Sequence, residues 1–186
     1  MTEITYQNDV SGSLQKAQGS DGRLNVSSRY DTRAYYNSRD EGQSYTAAFN
    51  FTASAAGEYA AYLKNTSTTK ELVISHIGIN SIVASGFKLA TVTGTAAAGT
   101  ALIPFNNNMS SNNDAAATAM EGAAAASGIT GLTPVLLIDS LYTGANSHEE
   151  FRIGDTLRLG QGDAIAIEVD VTAGGNVGGV MAFYYE

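Results

Sequence analysis

The chain has no cysteine and no tryptophan, and only two prolines and two histidines among its 186 residues. The missing cysteine excludes disulfides and thiolate metal ligands. Charge is also scarce: 15% of residues are charged, against a usual fraction of about 25%. Ten Lys and Arg stand against 18 Asp and Glu, a formal net charge of −8. Non-specific nucleic-acid binding needs clustered cations, so that partner class is disfavoured. No apolar run approaches the roughly 20 residues of a membrane helix. The first residues lack the basic start and apolar centre of a signal peptide. No Ser stands in a G-x-S-x-G setting, and no glycine run opens a helix to cradle phosphate. The expectation is a protein without catalytic residues, cofactor or metal.

What is present is a strong period of two. Ile165, Ile167, Val169 and Val171 alternate with Ala166, Glu168 and Asp170, the pattern of a strand with one dry and one wet face. Leu157 and Leu159 repeat it upstream, and Gly160-Gln161-Gly162-Asp163 supplies turn chemistry between them, predicting a hairpin. Further strands are predicted over 45–52, 58–65, 71–79, 85–93, 99–105, 133–142 and 177–185. Eight or nine strands with turn signals between them predict an all-β fold, an antiparallel, jelly-roll-like β-sandwich. This body runs from 43 to 186 and carries an Ala/Asn-rich insertion at 106–131. Asn113 or Asp114 is placed to cap a helix over the Ala-rich part, whereas Gly122 weakens one by about 1 kcal/mol relative to Ala. A helix and an irregular surface excursion both remain open there.

Residues 1–42 differ. Apolar residues are isolated and no period persists, so the segment buries too little to offset the backbone entropy of ordering. Yet Arg23, Arg29, Arg33 and Arg39 recur with Tyr30, Tyr35 and Tyr36 among them. Arg and Tyr are enriched at protein interfaces. The segment is expected to be an extended arm that orders against a partner, the plainer alternative being a solvated tail. Asp21, Asp31, Asp40 and Glu41 offset the Arg charge and disfavour a nucleic-acid arm.

The remaining candidates are weaker. Glu168 and Asp170 share a strand face as paired carboxylates do, but solvated acids are the plainer reading. Asp155 and Asp163 follow glycines and fit turns. His148 lies beside Glu149 and Glu150 in a predicted loop, 143–150, and His76 in a predicted core strand. A two-histidine metal site would require them to converge. Tyr59, Tyr62, Tyr142, Tyr184 and Tyr185 fit either a sugar-binding platform or a core. The N-x-Ser/Thr sequons at Asn25, Asn50, Asn65 and Asn108 read as products of an Asn/Ser/Thr-rich chain.

An arm bearing Arg29-Tyr30-Asp31-Thr32-Arg33-Ala34-Tyr35-Tyr36-Asn37-Ser38-Arg39, followed by a cysteine-free sandwich that ends in Gly-Asp-Thr-Leu-Arg-Leu-Gly-Gln-Gly-Asp-Ala-Ile-Ala-Ile, resembles the small virion structural proteins of tailed bacteriophages, in particular jelly-roll capsid decoration (cement) proteins. The closing segment is also similar to that of trimeric jelly rolls of the tumour-necrosis-factor-like group. The resemblance implies a homotrimer on the capsid surface, made in a host cytoplasm, whose arm contacts the major capsid protein or other virion subunits. A carbohydrate-binding tail or head fibre module is the alternative.

Overall fold

The structure, a computed structural model, describes residues 5–7, 14–16, 33–123, 128–170 and 175–186. The chain divides into two units, Met1–Asp31 and Thr32–Glu186. In the first, strands β1 (Thr5–Gln7) and β2 (Leu14–Lys16) pair antiparallel, Tyr6 opposite Gln15. Regular pairing here differs from the aperiodic arm that the sequence predicts.

The second unit opens with a short helix α1 (Arg33–Tyr36) continued by a π-helical turn, Asn37–Glu41. Gly42 ends it at φ 59°, a left-handed conformation that favours glycine. The buried Asn37 amide donates to the Tyr185 carbonyl at 3.2 Å, tying this turn to the end of the chain. The expected arm boundary at residue 42 therefore falls within a turn anchored to the body.

Among the described residues twelve strands follow: β3 (Ser44–Thr52), β4 (Glu58–Asn65), β5 (Leu72–Ser81), β6 (Ser85–Ala97), β7 (Thr100–Leu102), β8 (Phe105–Asn106), β9 (Ala117–Glu121), β10 (Thr130–Thr143), β11 (Ser147–Glu150), β12 (Leu157–Leu159), β13 (Ala164–Val169) and β14 (Asn176–Tyr185). One sheet has the order β10-β6-β13-β4-β9-β7; the other has β11-β5-β14-β3-β8, with β12 also on β5. From β3 to β6 each strand crosses to the opposite sheet, and β10 then returns beside β6. β11 and β12 cross again, as do β13 and β14. This is the antiparallel double sheet of a jelly roll.

Alternation explains the core. Phe49 and Phe51 of β3, Ile77 and Ile79 of β5, and Met181 and Phe183 of β14 meet Leu63, Phe87, Leu89, Ile165, Ile167 and Val169 of the opposite sheet. Each such side chain contributes about 1.5–3 kcal/mol on full burial. At one end Tyr45 stacks on Phe183 at 5.7 Å, and Tyr185 packs edge-on against both.

One expectation is corrected, and one open alternative is decided. The segment 152–171 is not a hairpin: β12 pairs with β5 in one sheet, whereas β13 pairs with β4 and β6 in the other. Its Gly160–Asp163 turn is real, closed by Asp163 N–H to Gly160 O (3.1 Å) and Gly160 N–H to the Asp163 carboxylate (2.9 Å). That turn carries the chain between sheets. The Ala-rich stretch is no helix at 117–121 but strand β9, paired with both β4 and β7. Ala119 faces the core there, and a Cβ on Gly122 would lie 2.3 Å from the Phe51 ring. Small residues let this strand lie close against the sandwich. The Asn-rich loop before it also has structural work. Asn106 donates to Gly42 O (2.7 Å) and Asn113 to Glu41 O (3.2 Å), satisfying carbonyls at the end of the π-helical turn.

The tyrosines give the fold a pH limit. The Tyr185 hydroxyl is buried with no hydrogen-bond partner among the described residues. Burial first, and the neighbouring Tyr45 second, push its phenol well above the ordinary value. Burial, followed by Asp114, raises Tyr45; burial, followed by Glu168, raises Tyr59; and burial raises Tyr62. The unfolded chain therefore releases these protons at a lower pH than the folded one. Their contribution is complete below the unfolded value of about 10 and is lost as pH rises through the folded values. Unfolding free energy is expected to fall above about pH 10 by up to ~1.4 kcal/mol per pH unit for each such tyrosine. Denaturation monitored by circular dichroism alongside phenolate absorbance checks this, and cooperative release of tyrosine protons with unfolding is the expected signature.

Candidate functional site

Strand β10 forms an outer edge of its sheet. Pro134 is compatible with such a position, because an edge strand leaves one row of N–H groups outside the ladder. Its pairing with β6 shifts register three times, between Thr130 and Leu132, Pro134 and Leu136, and Leu137 and Asp139. Thr91 stitches one irregularity, accepting from Leu136 N–H at 3.1 Å. The consequence is three consecutive apolar side chains turned outward. Val135 is 64% exposed, Leu136 63% and Leu137 56%, and Tyr142 is also exposed. The bulges discourage strand addition along this edge but leave an apolar surface for side-chain docking. At the other edge of the same sheet lies β7, and just beyond it Ile103 is 92% exposed and Met109 96%, with Phe105 exposed between them. The sandwich thus carries apolar patches at two different edges.

The outer face of the second sheet carries a groove of about 720 Å³. Its floor includes Gly78, Gly178 and Gly179, and Asn50, Asn80, Asn146 and His148 are among its walls. Gly78 of β5 and Gly178 of the adjacent β14 face outward and leave out the side chains that would fill it, whereas a side chain at Gly179 would run into the Phe49 ring. At the β5–β11 end stand both histidines of the chain. His148 is not in a loop but on β11, opposite Asn80 of β5, and Glu150 is opposite Gly78. His76 is not a core residue. It is half-buried, two positions before Gly78 and on the same strand face. The histidines that sequence reasoning kept apart are thus brought together with Glu150.

The paired carboxylates take another role. Lys88 on the neighbouring strand forms ion pairs with Asp170 and, at 3.7 Å, with Glu168. The hydrogen bond to Asp170 and the charges of both acids hold its ammonium above the ordinary range. These acids face a cation on a sheet surface. The tyrosine platform is not assembled: Tyr62, Tyr184 and Tyr185 are buried, Tyr59 is half-buried and Tyr142 is exposed on β10.

Of the arm residues, Arg23, Arg29 and Tyr30 lie outside the described residues. Arg33 belongs to α1. Tyr35 is exposed and Tyr36 half-buried. The Arg39 guanidinium lies 5.4 Å from the Tyr35 ring centroid and bonds the Asp40 carboxylate at 2.5–2.6 Å.

No protein-family model, curated protein or solved structure matches the chain. The fold itself defines an antiparallel jelly-roll β-sandwich with exposed apolar edges.

Proposed function

We propose that the protein is a non-enzymatic virion structural protein of a tailed bacteriophage. In this reading it is a capsid decoration (cement) protein that self-associates through its jelly-roll body and binds major capsid subunits through its N-terminal arm. The observation that carries this reading is the exposed apolar edge strand β10, with a second apolar patch at the β7–β8 edge. Contiguous exposed apolar surface marks protein–protein contact. Two patches at different edges of one body suit a heterologous contact, the kind that closes into a ring such as a trimer. A formal net charge of −8 fits a protein that meets protein subunits rather than packaged DNA.

The experiment is the mass in solution by light scattering, followed by capsid binding with and without residues 1–31. The cut falls at 31 because Asn37 ties the following turn to Tyr185. The truncated chain is expected to remain a folded oligomer and to lose capsid occupancy. Decoration at full occupancy without residues 1–31 would overturn the role of the arm, and a monomer at every concentration would overturn self-association. A carbohydrate-binding fibre module is the second reading. The Asn-walled groove favours it, but the dispersed tyrosines withdraw the aromatic platform on which it also depended.

A further inference from the structure

The geometry points to a divalent transition-metal site formed by His76, His148 and Glu150 at the edge of the second sheet, which is independent of the virion reading. The three side chains share the outer face of β5 and β11, and one ligand atom from each lies within 4.8 Å of the other two. His76 Nδ1 is 3.7 Å from one Glu150 carboxylate oxygen, and His148 Nε2 is 3.6 Å from the other. These separations exceed the ~2.7–3.2 Å of a hydrogen bond. They lie close to the ~3.3–3.4 Å between neighbouring ligand atoms of a tetrahedral ion with ~2.0–2.1 Å bonds. Neither histidine is therefore hydrogen-bonded to Glu150, and each faces a different oxygen of its carboxylate, so a small side-chain adjustment brings one ligand atom from each residue onto one cation.

The backbone beneath is suited to this. Gly78 lies between the two imidazoles: a Cβ there would be 2.8 Å from His148 Cε1 and 2.9 Å from His76 Nε2. Any other residue at 78 would force the rings apart. The register Glu150↔Gly78 and His148↔Asn80 holds both β11 ligands beside that gap. Two imidazole nitrogens and one carboxylate select borderline cations such as Zn²⁺, Co²⁺ or Ni²⁺ over Ca²⁺ and Mg²⁺, which prefer oxygen. Three protein ligands leave a fourth position open. His148 also lines the groove, so the open position adjoins a cleft that can admit water or a small ligand.

The chain has no cysteine and no third histidine, so no competing His/Cys site exists. Untagged full-length protein is stripped with chelator, dialysed, and titrated calorimetrically with ZnCl₂, and in parallel with CoCl₂ followed by visible absorbance. One equivalent per chain is expected, with Co²⁺ giving the absorption bands of a low-coordinate N/O site and Zn²⁺ raising the melting temperature. Outer-shell partners alone are worth about 10–100-fold in affinity, so losing a ligand in His148→Ala is expected to cost at least about 100-fold. Glu150→Gln should also weaken binding. Both residues are exposed, so the metal-free melting temperatures of the variants should match the parent and exclude misfolding as the cause. Absence of saturable binding of either metal overturns the site, as does unchanged affinity in His148→Ala.

Discussion

Replacing Asn65 by alanine is expected to lower the unfolding free energy by about 3–5 kcal/mol. The side chain is fully buried. Its amide donates to Lys70 O at 2.9 Å and to Leu159 O at 2.8 Å, and its carbonyl accepts from Ser67 N–H at 2.9 Å. Its backbone accepts from Gly162 N–H and donates to Asp163 O. Asn65 ends β4 in one sheet and Leu159 ends β12 in the other, so this one residue hooks the sheets together at a corner. Alanine would leave three backbone groups without partners, each costing about 1–3 kcal/mol where water cannot reach it. For a body of this size, about 2–4 °C of melting temperature accompanies each kcal/mol, so a fall of roughly 6–20 °C is expected. Asn65→Asp separates the causes. It keeps the size and the Ser67 acceptor, removes both donors and buries a charge, so it should destabilise at least as much. A loss below about 1 kcal/mol in both variants would mean that the corner is held by backbone bonds alone. The same burial makes the sequon at Asn65 unusable in the folded chain.

The residues of this corner show where sequence reading succeeds and where it stops. Strand β3 is legible because its side chains alternate between a dry face and a wetter one, as Phe49 and Phe51 alternate with Asn50. Periodicity reports the faces of a strand, not its neighbours. Leu157–Leu159 and Ala164–Val169 look like two arms of a hairpin, but their long-range partners, β5 for one and β4 and β6 for the other, make the turn between them change sheets. Ala117–Glu121 carries helix-forming residues, and pairing on both sides by β4 and β7 overrides that propensity. His76 and His148 are 72 positions apart, and their meeting depends on β11 pairing with β5, a long-range register that no local pattern encodes. The histidine beside two glutamates was the available signal. A glycine two residues after His76, inside a predicted core strand, was the second, because an interior strand glycine marks a close approach.

Charging the β10 patch is expected to separate assembly from folding. Leu136 and Leu137 are largely exposed in the single chain, so Leu136→Glu with Leu137→Glu should shift its stability by no more than about 0.5 kcal/mol per site. In an assembly that buries both, each leucine contributes about 1.5–3 kcal/mol, and the new carboxylates would meet a neighbour that is itself acidic. Two such losses weaken association by at least about 100-fold at 1.4 kcal/mol per tenfold. Analytical ultracentrifugation should then show a monomer where the parent is an oligomer, with unchanged melting of the β-signal at low concentration. If β10 docks on the β7–β8 edge of the next copy, Ile103→Glu should dissociate the parent equally well, because it removes the other half of the same contact. If β10 instead meets β10 across a two-fold axis, Ile103→Glu should leave the oligomer intact. Mixing the two variants adds a sharper test. Each retains one sound patch, so a heterologous contact allows one pairing between unlike chains and stops at a heterodimer. A two-fold contact cannot form between a chain charged on β10 and any partner. A mixture in which Ile103→Glu persists as a homodimer, the β10 variant stays monomeric and no heterodimer forms would therefore replace the ring by a two-fold dimer.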